Sequence, residues 1–174
     1  MNLSVRKIVI SGILGAISIL LGVTRLGFIP VPTPAGHATI MHIPVILGGV
    51  LEGPVVGLIT GAIFGLFSFL QPGAPFFADP LVSVLPRLFI GVVSYLVYYS
   101  TKKINNVLAC VLAGAFGSAT NTVLVLGMAT WRGYLPAEVS LTIGFLHGVP
   151  ELIVAAILTV ILVKGIQRIR TSED

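Results

Sequence analysis

An imidazole and a carboxylate lie inside an otherwise apolar run, GFLHGVPELIVAAIL, at residues 144–158. His147 and Glu151 are four residues apart, so a helix would place both side chains on one face. Ionisable groups within a membrane span usually face the protein interior, where they pair with one another or bind a ligand. Pro150 lies between them, and a proline frees a backbone carbonyl and can bend a helix around a cavity. The pattern predicts a polar binding site within a membrane-spanning helix.

Two further polar residues, Arg87 and Asn121, lie in other apolar runs. Arg87 directly follows Pro86, and Asn121 stands between two threonines. At a rise of about 1.5 Å per residue, Asn121 lies roughly 12 Å below the outer end of its span, His147 roughly 13 Å and Glu151 roughly 20 Å. Arg87 starts its span. The four depths predict a polar pocket toward the outer side of the membrane, roofed by the outer loops.

Each of these side chains also has a purely structural interpretation. Glu151 and Arg87 could pair with each other and fasten two helices together. His147 and Asn121 could each make one interhelical hydrogen bond. The convergence of several polar groups at similar depth favours the pocket.

The composition identifies lipid as the solvent of this protein. Of the 174 residues, 56% are hydrophobic and 9% are charged, and the mean hydropathy is +1.07. A soluble domain usually carries about 25% charged residues. We therefore expect a single membrane domain over residues 1–174. Cys110 is the only cysteine, which excludes an intrachain disulfide.

Six apolar segments are predicted to span the membrane: 8–27, 41–52, 54–70, 84–101, 105–129 and 138–166. With the N-terminus in the cytoplasm, seven of the ten Lys and Arg residues fall on the inner side. Positive charge is enriched in cytoplasmic loops, so this asymmetry favours six spans with both termini cytoplasmic. The predicted fold class is an all-α integral membrane protein.

The three outer connections, residues 28–40, 71–83 and 130–137, are the long ones in this topology. They are rich in Pro and Gly, and loops of this kind are often lids or binding loops. His37 and His42 would lie at the outer interface. Trp131 and Tyr134 are typical of the interfacial aromatic belt.

Small residues recur at four-residue spacing on several predicted helices, which allows close approach of another helix. One such face could contact an external membrane partner, and the others would pack internally. The first helix carries two overlapping pairs, 11/15 and 12/16, formed by Ser11, Gly12, Gly15 and Ala16. The third carries Gly57, Gly61 and Gly65, and the fifth Ala109, Ala113 and Gly117.

Several catalytic and nucleotide-binding motifs are missing from the sequence. There is no G-x-x-x-x-G-K-[ST] loop, no H-E-x-x-H and no G-x-S-x-G. The sequence therefore favours a membrane-embedded binding protein over an enzyme, without a cofactor or metal of its own. An intramembrane enzyme and a small membrane scaffold protein are the other hypotheses.

Three stretches of the chain resemble one known family. They are LGFIPVPTPAGHATIMHIPVILGGVLEGPVVGLITGAIFGLFSF, DPLVSVLPRLFIGVV and ATNTVLVLG. They resemble the substrate-binding S components of energy-coupling factor (ECF) vitamin transporters, most of all the pantothenate-type branch. The resemblance covers about residues 5–165.

The resemblance implies a six-helix protein of a prokaryotic cell membrane that captures a vitamin from outside with high affinity. Its implied partners are one membrane coupling protein and two cytoplasmic ATPases, which use ATP. The small-residue motif of the first helix, at Gly12 and Ala16 or at Ser11 and Gly15, would contact the coupling protein. The S component is then expected to topple in the bilayer and carry the occupied pocket inward.

The same resemblance implies which residues line the ligand pocket: Gly36, His37, Thr39, Arg87, Asn121, His147 and Glu151. Arg87 could pair with the carboxylate of pantothenate, while Asn121 and His147 bind its neutral polar groups. Glu151 would then have to be protonated or paired elsewhere, because a bare carboxylate repels an anion. Because Glu151 is present, other vitamins or precursors also remain candidate ligands, such as hydroxymethylpyrimidine, pyridoxine, folate or riboflavin.

Overall fold

The computed structural model describes residues 4–30, 37–71 and 74–172 of the chain. Most of these residues are helical, and the helices are α1 Val5–Val23, α2 Ile43–Glu52, α3 Pro54–Leu70, α4 Pro80–Ser83, α5 Leu85–Thr101, α6 Asn106–Trp131, α7 Ala137–Leu146 and α8 Gly148–Ser172. A 3-10 turn covers Pro75–Ala78, and two short antiparallel strands, β1 Phe28–Pro30 and β2 His37–Thr39, form a hairpin between α1 and α2.

Six apolar helical segments are present in the described chain, as the sequence predicts. Four are long and apolar enough to cross a membrane: Val5–Val23, Pro80–Thr101, Asn106–Trp131 and Ala137–Arg170. The other two are the shorter helices α2 and α3. The predicted all-α membrane fold is confirmed, with the small hairpin as an addition that the sequence analysis did not predict.

The sixth predicted span, 138–166, consists of two helices rather than one bent helix. α7 ends at Leu146, α8 begins at Gly148, and His147 lies between them. The break has a local cause in Pro150, because its missing N–H is the donor that would bond to the carbonyl of Leu146 in a continuous helix. The break places His147 between the two helices, four residues before Glu151.

Helix α2 is the centre of the bundle, which explains why it can be so short. Residues 41–50 are all buried, and α2 packs against α1, α3, α5, α6 and α8. Its surroundings are protein rather than lipid, so its ten residues need not match the thickness of a bilayer. Gly53, with a φ of 99°, makes the tight turn into α3.

The predicted glycine ladder of α3 serves internal packing. Gly57 meets Gly91 of α5, and a Cβ at Gly61 would overlap the backbone carbonyl of Arg87. Without side chains at these positions the two backbones approach closely. The ladder therefore sets the position of the first turn of α5, which carries Arg87.

The two small-residue pairs of α1 face in different directions, which corrects part of the predicted partner surface. Ser11 and Gly15 are buried, and a Cβ at Gly15 would lie 2.7 Å from Ile63 of α3. They are internal packing residues and are not accessible to a partner. Gly12 and Ala16 are exposed, and a Cβ at Gly12 has no neighbour within 4 Å. Contact of Gly12 and Ala16 with a partner stays a prediction.

Both ends of the described chain lie at one end of the bundle, here called the termini end. Arg6, in the first turn of α1, and Arg170, near the end of α8, both bond to Oε1 of Glu52. A chain that crosses the membrane an even number of times has both termini on the same side, in agreement with this arrangement. The opposite end, here called the loop end, carries the hairpin, residues 74–84 and residues 132–136. That the termini end faces the cytoplasm stays a prediction from the charges.

Candidate functional site

A cavity of about 930 Å³ lies at the loop end, within the usual size range of ligand pockets. The end of α1, the hairpin, α3, the 3-10 turn, α5, α6 and the α7–α8 break all contribute to its wall. Five of the predicted site residues line it together: Thr39, Arg87, Asn121, His147 and Glu151. Segments far apart in sequence are thus brought to one site, although contact with a ligand stays a prediction.

Arg87 is a nearly buried cation, with 4% of its surface exposed. Its Nη1 donates a 2.7 Å hydrogen bond to the carbonyl oxygen of Val82. That carbonyl is available because the residue four positions later is Pro86, which has no N–H. The guanidinium also lies over two aromatic rings, 5.5 Å from the centroid of Phe64 and 4.7 Å from that of Phe77. The cation is therefore fixed in place and largely removed from water.

Glu151, 3% exposed, ties the hairpin to α8. Its Oε1 accepts a 2.7 Å hydrogen bond from the backbone N–H of Thr39 and lies 3.0 Å from Nε2 of His147. Within the described residues Glu151 forms no ion pair with Arg87, so the predicted alternative of an Arg87–Glu151 pair is wrong. The carboxylate is instead paired with an imidazole, as the sequence argument required for an anionic ligand.

Three buried polar atoms on cavity-lining residues have no hydrogen-bond partner within the described chain. They are Nε of Arg87, Oδ1 of Asn121 and Nδ1 of His147. Buried polar groups are nearly always bonded, and an unpaired one destabilises the protein by about 1–3 kcal/mol. A polar ligand in the cavity would supply partners for donors and acceptors of this kind.

His42 differs from its predicted place at the outer interface. It is fully buried at the N-terminus of α2, and both ring nitrogens are unpaired within the described residues. His37 belongs to β2 by its backbone, and no position is described for its side chain. Gly36 lies outside the described residues.

The sequence analysis did not predict that aromatic side chains form part of the cavity wall. The lining includes Phe28, Phe64, Phe67, Phe76 and Phe77. Phenylalanine is equally suited to lipid-facing surfaces, so its presence in apolar runs carried no signal. The pair Phe76–Phe77, inside the predicted loop 71–83, was the one available hint, because two adjacent aromatic residues in a Pro-rich loop need an apolar surface to cover.

An ion pair joins two of the loops above the cavity. Oδ2 of Asp79 accepts hydrogen bonds from Nε of Arg132, at 2.7 Å, and from the hydroxyl of Tyr134, at 3.2 Å. Oδ1 accepts a 2.9 Å bond from the N–H of Leu81 and so caps α4. The Leu81 amide and then Arg132 hold the pKa of Asp79 below its usual range. Asp79 follows the 3-10 turn that carries Phe76 and Phe77, so the pair fixes this aromatic segment.

Comparison with known proteins points to transport. Residues 6–163 match the family described as ECF transporter, substrate-specific component. The chain is also 30% identical to the pantothenic acid transporter PanT of Lactococcus lactis subsp. cremoris (strain MG1363), in a match that covers 77% of this chain and 80% of that protein.

Proposed function

Because the chain belongs to the family of substrate-specific components of ECF transporters, we propose that its loop-end cavity binds pantothenate for uptake across the cell membrane of a prokaryote. The similar protein of Lactococcus lactis is a pantothenic acid transporter, which makes this vitamin the leading candidate. Binding, rather than chemistry on the vitamin, is the role of this chain.

The observation that carries the choice of substrate is the buried Arg87. It lies in the cavity wall between two aromatic rings, and its one hydrogen bond within the described chain goes to a neutral carbonyl. A desolvated guanidinium that forms no ion pair with a carboxylate of the described residues favours an anionic ligand, and its fork of N–H donors suits a carboxylate. Pantothenate has one carboxylate.

The remaining polar groups suit the neutral part of the same ligand. Asn121 offers both an amide donor and an acceptor, and Nδ1 of His147 has no partner in the described chain. Pantothenate carries two hydroxyls and an amide, which can donate to and accept from such groups. Nε2 of His147 lies 3.0 Å from Glu151, and a protonated imidazole there would balance the carboxylate so that it need not repel the anion.

Energy for transport would come from partners. The exposed pair Gly12 and Ala16 on α1 offers a flat surface for a helix of a membrane coupling protein. That protein would in turn be driven by two cytoplasmic ATPases. The pair lies on α1, whose buried face packs against α2 and α3, so a partner can reach it without opening the bundle.

Equilibrium binding to the purified protein tests the substrate. We expect a nanomolar dissociation constant for pantothenate, about −12 kcal/mol. The alcohol analogue of pantothenate, which lacks the carboxylate, should bind far more weakly. Arg87→Gln should weaken pantothenate binding at least 30-fold, roughly, and abolish the preference over the alcohol. Lys103→Gln, an exposed charge at the termini end, is the matched control and should change neither value.

Two results would overturn this proposal. Tight binding of hydroxymethylpyrimidine, pyridoxine, folate or riboflavin in place of pantothenate would show that the substrate is wrong. Retention of the preference for the carboxylate by a folded Arg87→Gln protein would show that another group binds the anion.

A further inference from the structure

A second cavity, of about 500 Å³, lies at the termini end, far along α8 from the α7–α8 break. Its lining comes from the first residue of α6 and the second half of α8: Asn106, Ile161, Lys164, Gly165, Gln167 and Arg168. We call it the α6–α8 groove. It shares no residue with the loop-end cavity.

The charged residues that line the groove are both positive. Lys164 and Arg168 are four residues apart on α8, so both point to one face, and no acidic residue is part of the lining. Neither forms an ion pair with any other residue of the described chain, whereas Arg6 and Arg170 at the same end both pair with Glu52. The groove also borders the N-terminus of α6, where the helix dipole adds partial positive charge.

The wall of the groove is held by a closed ring of hydrogen bonds among three helices. The hydroxyl of Tyr98 in α5 donates to Oδ1 of Asn106 at 2.8 Å, and Nδ2 of Asn106 donates to Oε1 of Gln167 at 3.0 Å. Nε2 of Gln167 donates back to the hydroxyl of Tyr98 at 3.0 Å. This ring fixes the spacing of α6 and α8 beneath the two cations.

An exposed apolar surface extends along α8 from the groove toward the mid-depth of the bundle. Gly165 lies between the cations, and a Cβ built on it would have no neighbour within 4 Å. Ile161 and Ile157 are exposed and precede Lys164 on the same stripe of α8 at helical spacing. The surface thus changes from apolar to cationic along the direction of the membrane normal.

We infer that the α6–α8 groove binds the phosphate headgroup of an anionic phospholipid, with the acyl chains lying along Ile161 and Ile157. Lys164 and Arg168 contact the phosphate. A phospholipid matches both parts of the surface, because it joins an anionic head to apolar chains. Basic pockets between helices at a membrane surface are suited to such headgroups. A free phosphate ion would use the cations alone.

Lipid retention by the intact protein tests this inference. The protein is purified in detergent, supplied with dioleoyl phosphatidylglycerol or dioleoyl phosphatidylcholine, and measured by native mass spectrometry and by thermal unfolding. Phosphatidylglycerol should bind and raise the melting temperature more than phosphatidylcholine. The double variant Lys164→Gln/Arg168→Gln should bind phosphatidylglycerol about 30-fold more weakly. Lys164→Arg should keep the binding.

Lys7→Gln/Lys103→Gln is the matched control, since it removes two cations at the same end that neither line the groove nor contact its ring of hydrogen bonds. It should leave phosphatidylglycerol retention unchanged. Equal loss in both double variants would mean general charge attraction and would overturn the site. So would equal retention of the two lipids. A rise in melting temperature with inorganic phosphate as large as that with phosphatidylglycerol would assign the groove to a soluble anion instead.

Discussion

The carboxylate of Asp79 accepts a 2.7 Å hydrogen bond from Nε of Arg132, across 53 positions of the sequence. This pair joins the segment that follows α3 to the end of α6. The segment contains Phe77, which covers Arg87, and Val82, whose carbonyl binds it. This half-exposed pair is thus linked to the cavity wall through Phe77 and Val82, which contact Arg87.

Loosening this pair should speed the release of ligand. Asp79→Asn keeps a side-chain acceptor for the Leu81 amide but removes the charge that attracts Arg132. Because partly exposed ion pairs are weak, we expect a modest rise of about 2- to 5-fold in the dissociation rate of bound pantothenate. A chase with unlabelled ligand measures it. Arg132→Lys, which keeps the charge, should give a smaller rise, and equal rates for wild type and Asp79→Asn would contradict the role.

The same carboxylate gives the protein a component of acid sensitivity. Its pKa is lowered from the ordinary 3.8 in the folded state, chiefly by the Leu81 amide and by Arg132. A lowered pKa stabilises the fold above the unfolded value, and this contribution is lost as the pH falls below about 3.8 toward the folded value. The difference in melting temperature between wild type and Asp79→Asn should therefore be constant from pH 6 to about pH 4.5 and should shrink as the pH falls below about 3.8. A difference that stays constant as the pH falls from 4 to 2.5 would show that the charge contributes nothing.

The Glu151–His147 pair should stabilise the fold as well as the site. Glu151→Gln keeps an oxygen for the Thr39 amide but loses the charge that attracts the imidazole. We expect the free energy of unfolding to fall by about 1–3 kcal/mol. Unfolding in mixed micelles measures the change. The control, Glu138→Gln in the exposed first turn of α7, should stay within about 0.5 kcal/mol of wild type. Equal effects of the two variants would contradict the structural role.

Position 61 should affect binding although it does not line the cavity. A methyl group from Gly61→Ala would overlap the backbone carbonyl of Arg87 and push α3 away from α5. Overpacking of this kind destabilises by about 1–3 kcal/mol, and the displaced Arg87 should weaken pantothenate binding. Gly127→Ala is the control, because a Cβ there has no neighbour within 4 Å. It should be neutral or stabilise α6 by up to about 1 kcal/mol. Unchanged affinity in Gly61→Ala would contradict the link.

The exposed face of α1 should be needed for transport and dispensable for binding. Gly12→Trp places a large ring where a partner helix would lie, so uptake by cells should fall to background while the purified variant still binds ligand. Gly15→Trp is the comparison, because its ring would collide with Ile63 and disturb the fold. Normal uptake with Gly12→Trp would assign the coupling surface elsewhere.

Much of this protein could be predicted from its sequence, because charges in an apolar chain are informative. The helical rise and the charge-based topology placed Arg87, Asn121 and His147 in the outer half of the membrane and Glu151 slightly deeper, and these four residues do line one cavity. The family resemblance drawn from three stretches of sequence is confirmed. The partner of Glu151 could not be predicted, since the Thr39 amide is 112 positions away and depends on the hairpin.

The sequence also could not predict which face of each helix is buried. In soluble proteins the solvent-facing side is polar, but in lipid both sides of a helix are apolar. The pairs 11/15 and 12/16 are offset by one residue and have the same composition of small residues, so only the packing of α1 on α3 distinguishes them. The central position of α2 could not be predicted for the same reason. Its sequence is as apolar as that of a lipid-facing helix, and only its short length was unusual.

The hydrogen bond from Arg87 to the Val82 carbonyl has a thermodynamic consequence for capture of a scarce nutrient. A long flexible side chain normally loses rotamer entropy when it engages a ligand, by about 0.5–1.5 kcal/mol. Here that loss has already occurred during folding, because Pro86 leaves the carbonyl free to immobilise the guanidinium. In the proposed site, part of the affinity would therefore come from the pyrrolidine ring of Pro86, which does not line the cavity.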